Sequence, residues 1–383
     1  MVAIRDKELI LQTLETLKGV EKRPEDLKFF VGFDGFVDEI IHVVDKRVDF
    51  ETYTRVDTIA QFGDRISRAA GLSTNLELIP KQIKLGGNGP IMANALRNFG
   101  AQLTYSGCLG YPDIHPVFRE LADACETYSI CDPGHTDALE FTDGKLMMGK
   151  IEILKEVNWD NIVDRIPLEK LVEIFSRSDL VSMLNWTMIP YMTDIWEKML
   201  DLVLPKITPK GRPFAFFDLC DPEKRNSQDI AEAMAMLGRF EEYYRVILGL
   251  NRKEASEIAA VLDVKLSGKP ETVSLEEITR EVSEALGIYC LVVHPVSEAG
   301  TVVGGEYSHI EGPYTSNPKL TTGAGDNFNA GFCLGQVLGL SPQECLITGT
   351  GTSGFYVRNM RSPKLSELMD FLALWSKNVG QDF

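Results

Sequence analysis

Short apolar runs recur along the chain and alternate with longer segments of helical periodicity. The runs predicted to be strands are 29–33, 103–107, 180–184, 214–218, 246–250 and 290–294. Runs that are apolar throughout indicate strands buried on both faces, as in a parallel sheet that helices cover on both sides. The pattern therefore predicts an α/β protein with three layers, α/β/α, around a central, mostly parallel sheet.

Between these runs, apolar residues spaced three or four positions apart predict helices. The predicted helices are 6–18, 90–99, 116–126, 168–177, 193–204, 228–238, 252–262, 275–286, 326–338, 342–354 and 364–375. Two segments, 39–85 and 136–157, break this rhythm. Residues 57–68 look helical within the first segment, and apolar and polar residues alternate irregularly in the second.

The composition agrees with an intracellular enzyme. The chain has 383 residues, of which 44% are hydrophobic, enough for a large core. Its net charge of −17 argues against nucleic acid as a partner, because neutralising phosphates requires a basic face. No apolar run is long enough to span a membrane and no signal peptide begins at Met1, so we expect no membrane partner. Seven cysteines without a C-x-x-C pair favour reduced thiols and a cytoplasmic location.

Residues 321–326, which read Thr-Thr-Gly-Ala-Gly-Asp, carry the strongest chemical signal. Small residues let the backbone turn tightly, and the apolar positions that follow predict that a helix begins here. A helix N-terminus attracts phosphate through its unpaired N–H groups. The amides of Gly323, Ala324 and Gly325 are therefore a candidate anion hole, and Asp326 is the candidate base for an attacking hydroxyl. Taken alone, the segment could equally be a helix cap after a glycine turn.

This segment resembles the C-terminal signature of the ribokinase-like (PfkB) carbohydrate kinases, which has the form D-T-x-G-A-G-D. Further blocks at 29–38, 85–96, 214–225 and 246–255 follow in the order that the family shows. The resemblance implies a ribokinase-like fold and ATP-dependent phosphorylation of a sugar or a sugar-like alcohol, with Mg²⁺ as the metal cofactor. It also implies that the inserts pair into a small β-rich lid over the substrate.

The implied organisation has two parts. Residues 1–38, 86–135 and 158–383 would form the nucleotide-binding α/β/α domain, and residues 39–85 and 136–157 would form the lid. A lid excludes water, which could otherwise accept the phosphoryl group. The first insert is longer than a minimal lid requires, so it either extends the lid or forms a contact in a homodimer.

Four residues are candidates for binding the acceptor. The resemblance assigns substrate hydroxyls to Asp38, and a carboxylate suits this task because it accepts two hydrogen bonds from a diol. Asp34 is the competing acid, and Gly87 with Asn88 lies at the glycine hinge that opens a helix beside the sugar. The polar Asn that is usual in the family is replaced by Ile91, so the identity of the acceptor stays open.

The block at 246–255 contains the candidate residues for the nucleotide and the metal. In the family, residues matching Asn251 and Glu254 organise Mg²⁺ and the phosphates, with Glu254 acting through water. The same two residues also fit a capping box. Thr322 and Thr350 are further candidate nucleotide contacts. The family's Thr-x-Gly is missing near His294, which leaves the nucleotide preference open.

Other departures and motifs bear on activity. Leu320 stands where many members have an acid that binds a monovalent cation, so we expect no strong activation by potassium. A standard P-loop is absent, and the G-x-G-x-x-G at 349–354 lacks the preceding strand that a dinucleotide site requires. A nucleoside kinase and a sugar-phosphate kinase remain alternatives, the latter with Lys81, Lys84 or Arg65 as the added cation. A non-catalytic binding protein on the kinase fold is a third alternative.

Overall fold

A computed structural model of the protein describes residues 2–383, with side chains from Arg5 onward. Two sheets share the strands, which in chain order are β1 (Lys28–Gly32), β2 (Phe36–Arg47), β3 (Tyr53–Arg55), β4 (Leu78–Gly86), β5 (Gln102–Gly107), β6 (Glu126–Ser129), β7 (Gly134–Phe141), β8 (Gly144–Lys150), β9 (Leu180–Leu184), β10 (Phe214–Asp218), β11 (Arg245–Leu250), β12 (Cys290–Val293), β13 (Glu298–Val303) and β14 (Glu306–Glu311).

The helices lie mainly between these strands. They are α1 (Val2–Gly19), α2 (Ile59–Ser67), α3 (Asn88–Asn98), α4 (Arg119–Asp123), α5 (Trp159–Arg165), α6 (Leu168–Arg177), α7 (Met192–Lys198), α8 (Ser227–Phe240), α9 (Arg252–Val261), α10 (Leu275–Leu286), α11 (Ala324–Leu338), α12 (Pro342–Asn359) and α13 (Leu365–Trp375). Short 3₁₀ turns occur at Pro24–Asp26, Pro116–Phe118, Glu152–Glu156, Leu204–Lys206 and Pro222–Lys224.

The larger sheet has the strand order β14-β13-β12-β11-β10-β9-β1-β5-β6. From β12 to β6 all neighbouring strands run parallel, and β13 and β14 form an antiparallel edge. Because parallel strands end at the same edge of a sheet, the residues after β1, β9, β10, β11 and β12 are brought together. The predicted α/β fold with a mostly parallel central sheet is confirmed.

Helices cover both faces of this sheet. Phe30 and Phe217 point into a core that includes residues of α5 to α10. Their neighbours Phe29 and Phe216 point into a second core, with residues of α1, α3, α11, α12 and α13. Successive side chains of a strand point to opposite faces, so two separate cores require strands that are apolar throughout. This requirement explains why the sequence revealed these strands so clearly.

The smaller sheet is built from both inserts. In it, β2 pairs antiparallel with β3 and β4 and parallel with β7, which pairs antiparallel with β8. One face packs on α2, where Leu139 and Phe141 contact a small core with Phe62. The alternate residues Ala138 and Glu140 line a cavity on the opposite face, which we call the inner face. The inner face looks onto the start of α3 and the end of α12.

The structure corrects several element predictions. The helix predicted at 116–126 is a 3₁₀ turn followed by the short α4, and Glu126 begins β6. The helix predicted at 193–204 ends as α7 at Lys198 and continues as a π-helical turn at Met199–Val203. The sequence missed β6, β13 and β14 because they lie at or near an edge, where a strand need not be apolar throughout.

Within the described residues, no helix combines the length and the apolar character needed to cross a membrane.

The close contact between α11 and α12 can be tested with two helical glycines. A Cβ on Gly331 would lie 2.6 Å from the Thr348 carbonyl oxygen, whereas a Cβ on Gly238 meets nothing within 4 Å. Gly331→Ala should therefore lower the free energy of unfolding by about 1–3 kcal/mol through overpacking. Gly238→Ala should raise it by up to about 1 kcal/mol through helix propensity. Urea denaturation followed by circular dichroism measures both changes, and equal effects would contradict the close packing.

Candidate functional site

The candidate site lies at the edge of the larger sheet where its parallel strands end. Asp34 follows β1, Asn185 follows β9, Asp218 ends β10 and His294 follows β12. The helices α3 and α11 begin at the same place and contact each other. Ligands of open α/β sheets bind at this edge.

The turn before α11 has the geometry of a helix N-terminus open to an anion. Gly323 is the N-cap residue and has φ of +90°, a conformation that favours glycine. The Ala324 N–H donates to the Thr321 carbonyl at 3.1 Å. Within residues 2–383, the N–H groups of Gly323 and Gly325 have no backbone acceptor. Two of the three amides predicted to form an anion hole are thus available to a ligand.

Asp326 is the third residue of α11 and is half-buried beside other acids. Burial raises the pKa of its carboxyl well above the usual value, and the carboxylates of Asp218 and Asp34 raise it further. A hydrogen bond with the Asn88 side chain acts in the opposite direction. A carboxylate with a raised pKa accepts a proton more readily than an ordinary Asp, as a general base requires.

Asp34 is fully buried, and hydrogen bonds engage both of its oxygens. They accept the Asn88 N–H at 2.9 Å, the Gly89 N–H at 2.8 Å and the Asn185 side-chain amide at 2.7 Å. Burial raises the pKa of Asp34 to about 6, while these hydrogen bonds act to lower it. These contacts fix the start of α3. They favour a positioning role for Asp34 over the substrate contact predicted from the sequence.

Asp218 joins the starts of α3 and α11. Its carboxylate accepts the Asn329 amide at 3.0 Å and the Asn88 amide at 3.4 Å. Burial, and next the carboxylate of Glu254, raises the pKa of Asp218 well above the usual value. Sequence reasoning assigned no role to this residue. The signal was present, because Asp218 ends an apolar strand just as Asp34 follows one.

Asn251 and Glu254 form the capping box predicted for α9. The Asn251 side chain accepts the Glu254 N–H at 3.0 Å, and the Glu254 carboxylate accepts the Asn251 N–H at 2.9 Å. The other Glu254 oxygen accepts the Asp221 N–H at 2.9 Å. Burial raises the pKa of Glu254. Because both oxygens already accept hydrogen bonds, this residue suits a metal contact made through water.

Asp38 lies on the inner face of the smaller sheet. It sits opposite Lys84 on β4 and Thr136 on β7 in the strand registers. Burial raises the pKa of Asp38, and Lys84 and Lys145 are the positive charges that oppose this shift. Gly86 has no room for a side chain because the Asp38 carboxylate packs against it. Asp38 is therefore held over the hinge that leads to Gly87 and α3.

Gly87 and Thr322 complete the surroundings of the two helix starts. Gly87 is the N-cap residue of α3, with φ of +95°. Thr322 precedes the glycine turn, and its carbonyl accepts the Tyr356 hydroxyl at 2.8 Å. Its own hydroxyl accepts a hydrogen bond from Lys145 on β8. This bond links the inner face of the smaller sheet to the glycine turn, and sequence reasoning had no signal for it.

His294 packs against the glycine turn before α11, whereas the Thr350 hydroxyl is bonded within α12. The His294 ring stacks on Phe328 with centroids 4.5 Å apart, and its Cε1 would lie 3.4 Å from a Cβ on Gly325. Burial lowers the pKa of His294 to about 4, so the ring is neutral near pH 7. Thr350 is buried in α12, and its hydroxyl donates to the Leu346 carbonyl at 2.6 Å. That bond leaves the Thr350 hydroxyl turned to its own helix.

Comparisons with known proteins agree with this architecture. A family model described as prokaryotic ketohexokinase matches residues 12–375. Ketohexokinase from Haloferax volcanii is 30% identical over 358 residues, which cover 92% of this chain and 93% of that protein. Among solved structures, Arabidopsis thaliana ribokinase complexed with ribose and ATP has a TM-score of 0.61 at 16% identity. The match covers 92% of this chain and 99% of the ribokinase chain.

Adenosine kinase from Sinorhizobium meliloti is similar to the same extent. The TM-score is 0.62 at 16% identity, and the match covers 92% of this chain and 99% of the adenosine kinase chain. At these identities the likeness concerns the fold. The ribokinase-like fold that the sequence motifs implied is thereby confirmed.

The anchoring of α3 by Asp34 can be tested by changing its charge. Asp34→Asn replaces one acceptor oxygen with an amide that faces other donors. It should lower the free energy of unfolding by about 1.5–3 kcal/mol, the range for hydrogen bonds to a charged group. Chemical denaturation at pH 7 measures this loss. Asp123→Asn, at an exposed site, is the control and should change the unfolding free energy by less than about 0.5 kcal/mol. Equal stability of the two variants would contradict the anchoring role.

Proposed function

The chain belongs to the prokaryotic ketohexokinase family, and on this premise we propose that it transfers the γ-phosphoryl group of ATP to a hydroxyl of a ketohexose. It is a phosphotransferase with an alcohol group as acceptor. The observation that carries the proposal is the position of Asp326. This half-buried acid follows a glycine turn with free amides and lies beside Asn88 of the second helix start.

In the proposed mechanism, the inner face and α3 hold the acceptor. Asp38 accepts hydrogen bonds from two hydroxyls, and Asn88 and the backbone at Gly87 contact the same molecule. Fixing the acceptor next to the glycine turn converts an encounter of two molecules into a reaction within one complex. The smaller sheet excludes water as a lid, with the domain boundaries inferred from the sequence.

Asp326 is the proposed general base. Its carboxylate takes the proton of the attacking hydroxyl while the oxygen bonds to the γ-phosphorus and the bond to ADP breaks. The amides of Gly323, Ala324 and Gly325 face the developing negative charge. Ala324 can contribute only if its hydrogen bond to Thr321 opens. Positioning and electrostatics supply most of the catalysis in phosphoryl transfer.

The acids around the site fit a divalent cation. Asp218 and Glu254 are buried neighbours, and each has a raised pKa. A cation would relieve this repulsion, and Mg²⁺ prefers oxygen ligands while keeping several of its waters. We propose that Asp218, Glu254 and Asn251 hold Mg²⁺ through water. The bound ion would neutralise charge on the phosphates of ATP. Thr322 and His294 adjoin the glycine turn and would lie next to these phosphates.

Location and assembly remain part of the proposal. Free cysteines throughout the described residues support a cytoplasmic location, since reduced thiols are usual there. Exposed apolar side chains on the smaller sheet, Ile83, Met147 and Met148, support a homodimer that forms through the lid. We propose no nucleic-acid or membrane partner.

The choice of acceptor separates this proposal from its rivals. The fold is shared with a ribokinase and an adenosine kinase, so a nucleoside kinase has the same architecture. ATP consumption with Mg²⁺ should be measured against ketohexoses, pentoses, nucleosides and sugar phosphates. Preference for a ketohexose supports the proposal. Turnover of a nucleoside alone, or nucleotide binding without turnover, would replace it with a nucleoside kinase or a non-catalytic binding protein.

The role of Asp326 can be tested by removing its basicity. Asp326→Asn should lower kcat by roughly 10²–10⁴, the range for a lost general base, and leave ATP affinity nearly intact. Asp229→Asn is a matched control, because Asp229 is also the third residue of a helix but lies in α8. The control should keep wild-type kcat. Unchanged turnover of the Asp326 variant would remove this residue from the mechanism.

The pH dependence provides a second test of the same residue. Burial, and next the neighbouring Asp218 carboxylate, raises the pKa of Asp326, and the base acts only when deprotonated. Activity should therefore fall as pH drops through a value above the ordinary 3.8 of Asp. A pH profile of kcat/KM measures this limb. The residual activity of Asp326→Asn should lack it, and an identical limb in the variant would assign the titration to another group.

A further inference from the structure

Two lysines lie half-buried on the inner face of the smaller sheet and form no salt bridge within the described residues. Lys84 is on β4 and Lys145 is on β8. Burial lowers the pKa of both amino groups, and Lys84 lowers that of Lys145 further. Among residues 5–383, no carboxylate oxygen lies within 4.0 Å of either nitrogen. Asp38 and Glu140 oppose these pKa shifts from a longer distance. Burying a cation is costly unless it is closely paired, so two neighbouring lysines without a salt bridge indicate a place for an anion.

The cavity beside these lysines is basic, although the chain as a whole is acidic. Its volume is about 760 Å³, within the range of small-molecule sites. Its charged lining residues are Lys81, Lys84, Lys145, Lys319, Arg361, Glu120 and Glu140. Two of these residues are engaged elsewhere, since Glu120 pairs with Arg97 at 2.8 Å and Arg361 donates to Glu367 at 2.8 Å. Four lysines and Glu140 remain. Positive charge is thus concentrated here in a chain with net charge −17.

One of the two lysines also adjoins the glycine turn. Lys145 donates a hydrogen bond to the hydroxyl of Thr322, the residue before Gly323. Lys84 stands opposite Asp38 in the strand register. One amino group therefore lies at the proposed anion hole, and the other lies on the strand opposite the proposed acceptor residue Asp38. An anion in this region would lie within reach of both sheets.

We propose that Lys84 and Lys145 form a phosphate-binding subsite on the inner face of the smaller sheet. The phosphate belongs either to the nucleotide that enters at the glycine turn or to a phosphorylated sugar-like molecule in the cavity. Ammonium groups bind phosphate by charge-assisted hydrogen bonds, which are stronger than neutral ones. The subsite extends the site of the proposed kinase, but its test measures binding and does not depend on turnover.

The test compares Lys84→Gln and Lys145→Gln with the wild type by isothermal titration calorimetry. The probes are a non-hydrolysable ATP analogue with Mg²⁺, fructose 6-phosphate, inorganic phosphate and fructose. Each substitution should weaken at least one phosphorylated probe by roughly 10-fold or more, the effect of losing a hydrogen bond between charged groups. Lys7→Gln, at an exposed site on α1, is the matched control and should bind like the wild type. Lys145→Arg should retain most of the affinity.

The pattern of losses assigns the source of the phosphate. Weaker binding of the nucleotide analogue alone assigns the subsite to ATP, and weaker binding of fructose 6-phosphate assigns it to the cavity. Unchanged affinity for every phosphorylated probe in both lysine variants would overturn the proposal, as would a wild type that binds none of them. If a variant does not fold, the salt dependence of binding to the wild type is measured instead. Added salt should weaken the affinity for the phosphorylated probe and leave the affinity for fructose unchanged.

The kinase and the subsite can fail separately. A wild type that phosphorylates fructose but shows no lysine-dependent phosphate binding would keep the kinase proposal and remove the subsite. Lysine-dependent binding without turnover of any ketohexose would keep the subsite and remove the kinase proposal.

Discussion

The crowding of carboxylates at one edge of the larger sheet is the constraint on which the site depends. Asp34, Asp218, Asp326 and Glu254 come from different elements, yet burial raises the pKa of each. Such a cluster would oppose folding if its members were merely placed together. Donors offset the cost, and they are mainly backbone N–H groups at helix starts and the side-chain amides of asparagines. These hydrogen bonds therefore fix the starts of the helices beside the carboxylates.

This arrangement also explains why the two helix starts act together. Asp34 ties β1 to α3 and, through Asn185, to the end of β9. Asp218 accepts side-chain amides from α3 and from α11, so a shift of either helix would break its hydrogen bond to this shared carboxylate. The glycine turn, the proposed base and the proposed acceptor contacts are thus positioned by the interior of the protein. Precise placement of this kind is what phosphoryl transfer requires.

Much of the fold could be predicted from the sequence, but less of the site. A strand buried on both faces must be apolar throughout. The sequence therefore predicted the strand at 180–184 but did not predict the edge strand β6. The turn at Gly323 was visible because only small residues permit it. The contact between Lys145 and Thr322 joins residues 177 positions apart, so no local pattern could reveal it. The roles assigned to Asp38, Asn251 and Thr350 stay predictions.

The two sheets contribute opposite charges, and this difference bears on how substrates are selected. The edge of the larger sheet supplies acids and free amides, which suit a metal, a phosphate chain and a proton. The inner face of the smaller sheet supplies Lys84 and Lys145, with Asp38 and Glu140 as its acids. A change of acceptor can then arise by substitution on the inserted strands, because no acid that anchors α3 or α11 lies there. Relatives with one phosphate machinery can in this way act on different alcohols, which is why the glycine turn alone could not identify the acceptor.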